Sequence, residues 1–134
     1  EMTDEELREQ QREVWRREMP GIRTVDFVGE NRGEVMYECP EVTAVCPMTG
    51  IPDFYTVRIH YVPEDKLPEL KSLRFYLLAY RDVPILHEHL ASKIYGDFAA
   101  AVEPKSLRVE LDVGVRGGIH TTVTVCSDVN ESQS

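Results

Sequence analysis

Apolar residues recur at every second position in two separate stretches of this chain, and at every third or fourth position in the block between them. No other feature restricts the fold as much, because a period of two belongs to a half-buried strand and a period of 3.6 to a helix. In "DFYTVRIHYVP", Tyr55, Val57, Ile59 and Tyr61 alternate with Thr56, Arg58 and His60. "PELKSLRFYLLAYRD" then puts Leu70, Leu73, Leu77 and Tyr80 on a helical stripe, and "LHEHLASKIYGDFAAAV" does the same with Leu86, Leu90, Ile94, Phe98 and Val102. Alternation returns in "SLRVELDV" and "GIHTTVTVC", joined by the glycines of "GVRGG" as a hairpin requires. Before Tyr55, residues 25–45 read as irregular or as strand-like pieces, since the proline after Cys39 limits regular pairing.

The order is strand, strand, helix, helix, strand, strand. It predicts an α+β domain in which two helices cover one face of a four-stranded antiparallel sheet. Its other face must be wet or covered by another subunit, and its open edges favour assembly. An extra N-terminal helix precedes it in "TDEELREQQREVWRRE", where Thr3 and Glu6 fit a capping box and acids lead while arginines trail. Trp15 is the residue expected to pack this helix on the body or on a neighbour, the other reading being a mobile arm. Pro20 and Gly21 end it. The expected units are an N-terminal arm at 1–24, a domain at 25–126 and a polar tail at 127–134.

Net charge is −9, with 24 acids against 15 basic residues. No Lys/Arg cluster is free of nearby acids, which argues against a grip on nucleic acid and for a small-molecule or protein partner. No apolar run approaches the ~18 residues of a membrane span, and the charged N-terminus lacks a signal-peptide core. A cytoplasmic location is expected. Three cysteines, Cys39, Cys46 and Cys126, are too few for a disulfide framework.

Few residues are candidates for chemistry. Cys46 and Asp53 stand at the two ends of "CPMTGIPD", a turn stiffened by two prolines. One reading is a loop with a buried thiol and a turn aspartate. The other is a nucleophile, which needs a lowered thiol pKa and access, and a carboxyl able to deliver a proton. Glu88 suits a helix N-terminus for its charge alone, and equally suits a ligand ring that offers two parallel N–H groups. His87 and His89 do not share a helix face, so they form no chelating pair of the HExxH type, and no metal is expected. Lys71 and Arg74, three apart, read either as a solvated helix face or as a phosphate grip. There is no GxGxxG and hence no Rossmann site.

Taken in order, "CPEVTAVCPMTGIPDF", "ELKSLRFY", "HEHLA" and "RGGI" resemble the nitrile reductases of the queuosine pathway, the 7-cyano-7-deazaguanine reductases of the short single-module type. The resemblance spans roughly residues 35 to 125, and "ELKSL" is its most specific element. It implies the tunnelling fold, a four-stranded antiparallel sheet backed by two helices. It implies NADPH-dependent reduction of a nitrile, 7-cyano-7-deazaguanine, to the aminomethyl product through a covalent thioimidate. Cys46 would be the nucleophile and Asp53 the proton donor. His87 and Glu88 would hold the deazaguanine, Pro68, Glu69 and Leu70 would border it, and Lys71, Ser72 and Arg74 would lie on the NADPH side. The sites would sit between subunits of a homo-oligomer, a decamer of two pentamers stacked face to face. One departure is Leu90, where many relatives carry a second cysteine able to pair with the nucleophile.

Two rivals remain. Archaeal relatives form an amidine on nitrile-bearing tRNA without NADPH; they lack an intact "ELKSL", which this chain has. A purine- or pterin-binding module without catalysis would be expected to have lost Cys46 or Asp53, and both are present.

Overall fold

A computed structural model describes residues 1–127. The expected tail at 127–134 thus falls outside the described residues except for Ser127.

Helix α1, Asp4–Arg16, starts at the predicted capping box: Thr3 Oγ1 accepts the Glu6 N–H at 3.1 Å, and Glu6 Oε1 accepts the Thr3 N–H at 2.9 Å. It lies on the body, with the Trp15 ring against Lys93 Nζ at 5.9 Å, but its buried contacts come from other side chains. Trp15 stays 47% exposed, while Gln11 and Val14 are buried. The polar upper face of α1 leaves only a narrow seam to bury. Trp15 contributes its carbonyl, which accepts from Lys93 Nζ at 2.9 Å.

A short strand β1, Thr24–Asp26, pairs with β4, Lys66–Pro68. The main sheet is antiparallel throughout and runs in the order β2, β3, β5, β6. Strand β2 is Val35–Val45, β3 Pro52–Val62, β5 Ser106–Arg116 and β6 Ile119–Cys126. The stretch before Tyr55, expected as irregular or as strand-like pieces, holds an eleven-residue strand over Val35–Val45. Pro40 is accommodated because the β2–β3 register shifts between Cys39 and Val42, a bulge that needs no N–H at that position. Gly117 and Gly118 both take positive φ, 56° and 79°, between β5 and β6, as a two-residue turn of the I′ kind demands.

Helices α2, Leu70–Leu78, and α3, His87–Val102, cover one face, joined by a 3-10 turn at Ala79–Asp82. Leu90, Ile94, Phe98 and Val102 of α3 are fully buried, as their spacing predicts, against Val57, Ile59, Val109 and Leu111 of the sheet. On α2, Leu73 and Leu77 are buried, as is Tyr80 in the 3-10 turn that follows, but Leu70 is 58% exposed. The opposite sheet face carries charge: Arg58 meets Glu38 at 2.8 Å and Asp112 at 3.5 Å, and His120 meets Asp112 at 2.6 Å. Among the described residues the outer edges of β2 and β6 have no strand partner.

Candidate active site

The turn between β2 and β3 runs from Cys46 to Ile51. It closes on itself: the Cys46 N–H donates to Ile51 O at 3.0 Å, Gly50 N–H to Cys46 O at 2.9 Å, and Ile51 N–H to Thr49 Oγ1 at 3.2 Å. Gly50 has φ +73°, a value that side-chain-bearing residues rarely adopt. The fold-back aims donors at sulfur. Burial raises the Cys46 thiol pKa, and the Asp53 charge adds to this. The Thr49 hydroxyl and the backbone N–H groups of Thr49 and Met48 outweigh both, so the thiol lies below its ordinary range. Cys39 behaves in the opposite way, pushed up by burial and by Glu38.

Asp53 follows from strand parity. It sits on the inward side of β3 with Tyr55, Val57 and Ile59, and is only 2% exposed. A buried carboxylate needs partners. Arg116 Nε supplies one at 2.9 Å, and the same guanidinium donates through Nη2 to Pro52 O. Arg116 reaches there from the last residue of β5, three positions past Val113, the partner of Tyr55, and beside a register shift in the β5–β6 ladder. Tyr55 lies beside Asp53 and Cys46. Burial first, then the charges of Asp53 and Cys46, hold its hydroxyl well above the usual phenol range, so it stays protonated. That hydroxyl meets His87 Nδ1 at 2.9 Å, with the two rings edge to face at 5.5 Å. Asp53, Tyr55 and His87 thus form a continuous polar line under the Cys46 turn.

His87 opens α3 and is half-buried, and Glu88 beside it is exposed. Backbone bonds fix this end of α3 to the nucleophile. Val45 N–H donates to Val83 O at 3.0 Å and Ile85 N–H to Val45 O at 3.1 Å, so residues 83–85 run as a strap along the end of β2.

The "ELKS" stretch is first of all a helix start. Glu69 is the N-cap of α2, its carboxylate accepting the Lys71 N–H at 2.8 Å and the Ser72 N–H at 3.1 Å. Ser72, expected beside the cofactor, is buried instead. Its hydroxyl donates to Glu69 O and accepts from Arg23 N–H, both at 2.8 Å, which leaves little for a ligand. Pro68 is buried at the end of β4. Leu70, Lys71 and Arg74 point outward and are exposed, and among the described residues neither cation forms an ion pair. Two unpaired cations one turn apart suit the phosphates of a dinucleotide. Within the single chain, Cys46, Asp53, Tyr55, His87 and Arg116 come together, while the α2 residues are held on a separate element. No group of three or more His, Cys, Asp and Glu with metal-holding geometry occurs among the described residues.

Arg116 and Tyr55 were not singled out by sequence reasoning as site residues. Tyr55 looked like core, and Arg116 like a turn residue. The available signal was parity: an inward-facing aspartate on a buried strand demands a cation, and "RGGI" held an unassigned one.

Residues 52–132 match the family model described as QueF-like protein. A protein of Anaeromyxobacter dehalogenans (strain 2CP-C) named NADPH-dependent 7-cyano-7-deazaguanine reductase is 52% identical over 91 residues, 68% of this chain and 75% of that protein. Proteins of the same name from Halorhodospira halophila and Prochlorococcus marinus are 47% and 41% identical, over 66% and 69% of this chain and 75% and 66% of their own lengths. The crystal structure of the archaeosine synthase QueF-Like in the apo form superposes with a TM-score of 0.64 at 23% identity, covering 74% of this chain and 95% of that one, a likeness of fold. The four-stranded sheet backed by two helices is thus the tunnelling fold, and this chain belongs to the QueF-like family.

Proposed function

We propose that this chain is an NADPH-dependent oxidoreductase that reduces the nitrile of 7-cyano-7-deazaguanine to an aminomethyl group through a covalent thioimidate on Cys46. The observation that carries it is the Cys46 thiol, lowered by its own turn and set against buried Asp53, in a chain whose relatives bear that name.

A nitrile carbon is a weak electrophile, so covalent catalysis divides one hard step into easier ones. The Cys46 thiol proton passes to the Asp53 carboxylate. Sulfur then attacks the nitrile carbon and Asp53 returns the proton to nitrogen, so that one C–S and one N–H bond form and one C–N π bond is lost. Arg116 holds the carboxyl in place through this exchange. Tyr55 keeps His87 oriented, and His87 with Glu88 holds the pyrimidinone edge of the ring. Lys71 and Arg74 are the residues that would hold the dinucleotide phosphates, with Leu70 and Glu69 bordering the substrate. NADPH, when bound, supplies hydride to carbon. Lodging these groups on rigid elements matters, because small misplacements cost large factors in rate. The same reading puts the sites between subunits of a decamer in the cytoplasm, which accounts for the open edges of β2 and β6 and for Phe54, Val115 and Ile119, all more than half exposed.

The test mixes the protein with 7-cyano-7-deazaguanine and NADPH and follows NADPH absorbance, with Cys46→Ala alongside. The expected result is two NADPH oxidised per nitrile, abolished in the variant. A nitrile adduct on Cys46 without NADPH oxidation would turn the assignment to amidine formation on tRNA. Neither signal would leave a binding module.

A further inference from the structure

α1 lies outside the residues matched by the family model, and nothing in the chemistry above uses it. Yet it sends one polar side chain into the body. Gln11 is 6% exposed, and its amide makes three bonds there. Nε2 donates to Pro84 O at 3.1 Å, and Oε1 accepts the Leu86 N–H at 3.0 Å and lies 2.9 Å from His89 Nδ1. An amide oxygen only accepts, so His89 is the donor in the last of these.

The three partners share one location. Pro84 belongs to the strap that is laddered to Val45, one residue before Cys46, and Leu86 directly follows that strap. Leu86 is also the N-cap of α3, and its own side chain cannot cap the helix. His89 stands two residues after His87, in the same first turn. Gln11 thus grips the one segment that joins the nucleophile's strand to the helix bearing His87 and Glu88. Buried main-chain groups left without such a partner are costly, so the segment would shift or admit water if the amide were removed.

We propose that Gln11 is a positioning residue for the reaction: through Pro84, Leu86 and His89 it fixes where His87 and Glu88 stand relative to Cys46. This inference rests on the reductase reading above for its kinetic consequence, but not for its structural one.

The test compares Gln11→Met, which keeps the volume and loses all three bonds, with Gln11→Glu, which keeps an acceptor for Leu86 and His89. Val14→Ala serves as a control that loosens the same helix while leaving all three Gln11 bonds in place. Amide exchange over residues 84–90 needs no substrate. Gln11→Met should speed it about tenfold or more, and Val14→Ala should not. In the NADPH assay, Gln11→Met should raise KM for the nitrile about tenfold with KM for NADPH unchanged, and Gln11→Glu should recover part of the loss. Unchanged exchange in Gln11→Met would overturn the proposal, as would an equal KM rise in Val14→Ala. A wild-type chain that reduces no nitrile would overturn the reductase reading, and the exchange experiment would still judge the clamp.

Discussion

At Cys46 the balance of opposing effects is readable atom by atom. Burial and the Asp53 carboxylate act against the thiolate, and the donors of the Met48–Thr49 segment outweigh them. The thiol should therefore alkylate with iodoacetamide at a pH below the ordinary thiol range, its rate rising with pH and levelling once the thiolate predominates. Thr49→Val removes the hydroxyl donor. It should move that midpoint upward and slow alkylation near neutral pH several-fold, since one unit of pKa is about 1.4 kcal/mol; peptide mass spectrometry against pH measures it. An unmoved midpoint would mean the backbone donors suffice. Part of this was legible in advance. Two prolines and a glycine between Cys46 and Asp53 announced a rigid turn. The sequence could not announce that Arg116, far along the chain, would be the partner of Asp53, because that contact depends on the pairing of β3 with β5, which no local pattern encodes.

At the scale of elements, periodicity identified both helices and the strands β3, β5 and β6, because each has one buried face against one wet one. It resolved β2 only as strand-like pieces, because Pro40 interrupts the pattern and a bulge absorbs it. It also missed the buried contacts of α1, since Trp15 is the largest apolar residue there but Val14 and Gln11 face the body. The "ELKS" element illustrates a further limit. Read as a ligand motif, it is equally a cap, with Glu69 satisfying two orphan N–H groups of α2. Glu69→Ala should cost about 1 kcal/mol of stability for the lost cap, measured by denaturant unfolding. A loss of nitrile reduction without that destabilisation would assign the carboxylate to substrate instead.

For the whole molecule, the decisive surfaces are those the chain leaves open. A four-stranded sheet with two unpaired outer edges is a ready template for pairing. On the decamer reading proposed above, sedimentation of the purified protein should give ten chains per particle, and dilution to the single chain should abolish NADPH oxidation. An active monomer would sink the interfacial site. The tunnelling fold was inferred from the order of elements together with a family resemblance, and the order alone sufficed for the α+β class. What no pattern of side chains could supply was the alignment of the β2–β3 turn with the start of α3.

That alignment is made by main-chain atoms, Val45 with Val83 and Ile85. A join of this kind has an evolutionary consequence. Side chains at 83 and 85 need only fill core volume, so lineages can exchange valine, isoleucine and leucine there while the nucleophile and the recognition helix keep their alignment. Selection acts on the backbone N–H itself, and proline at position 85 is the substitution that this history should have excluded.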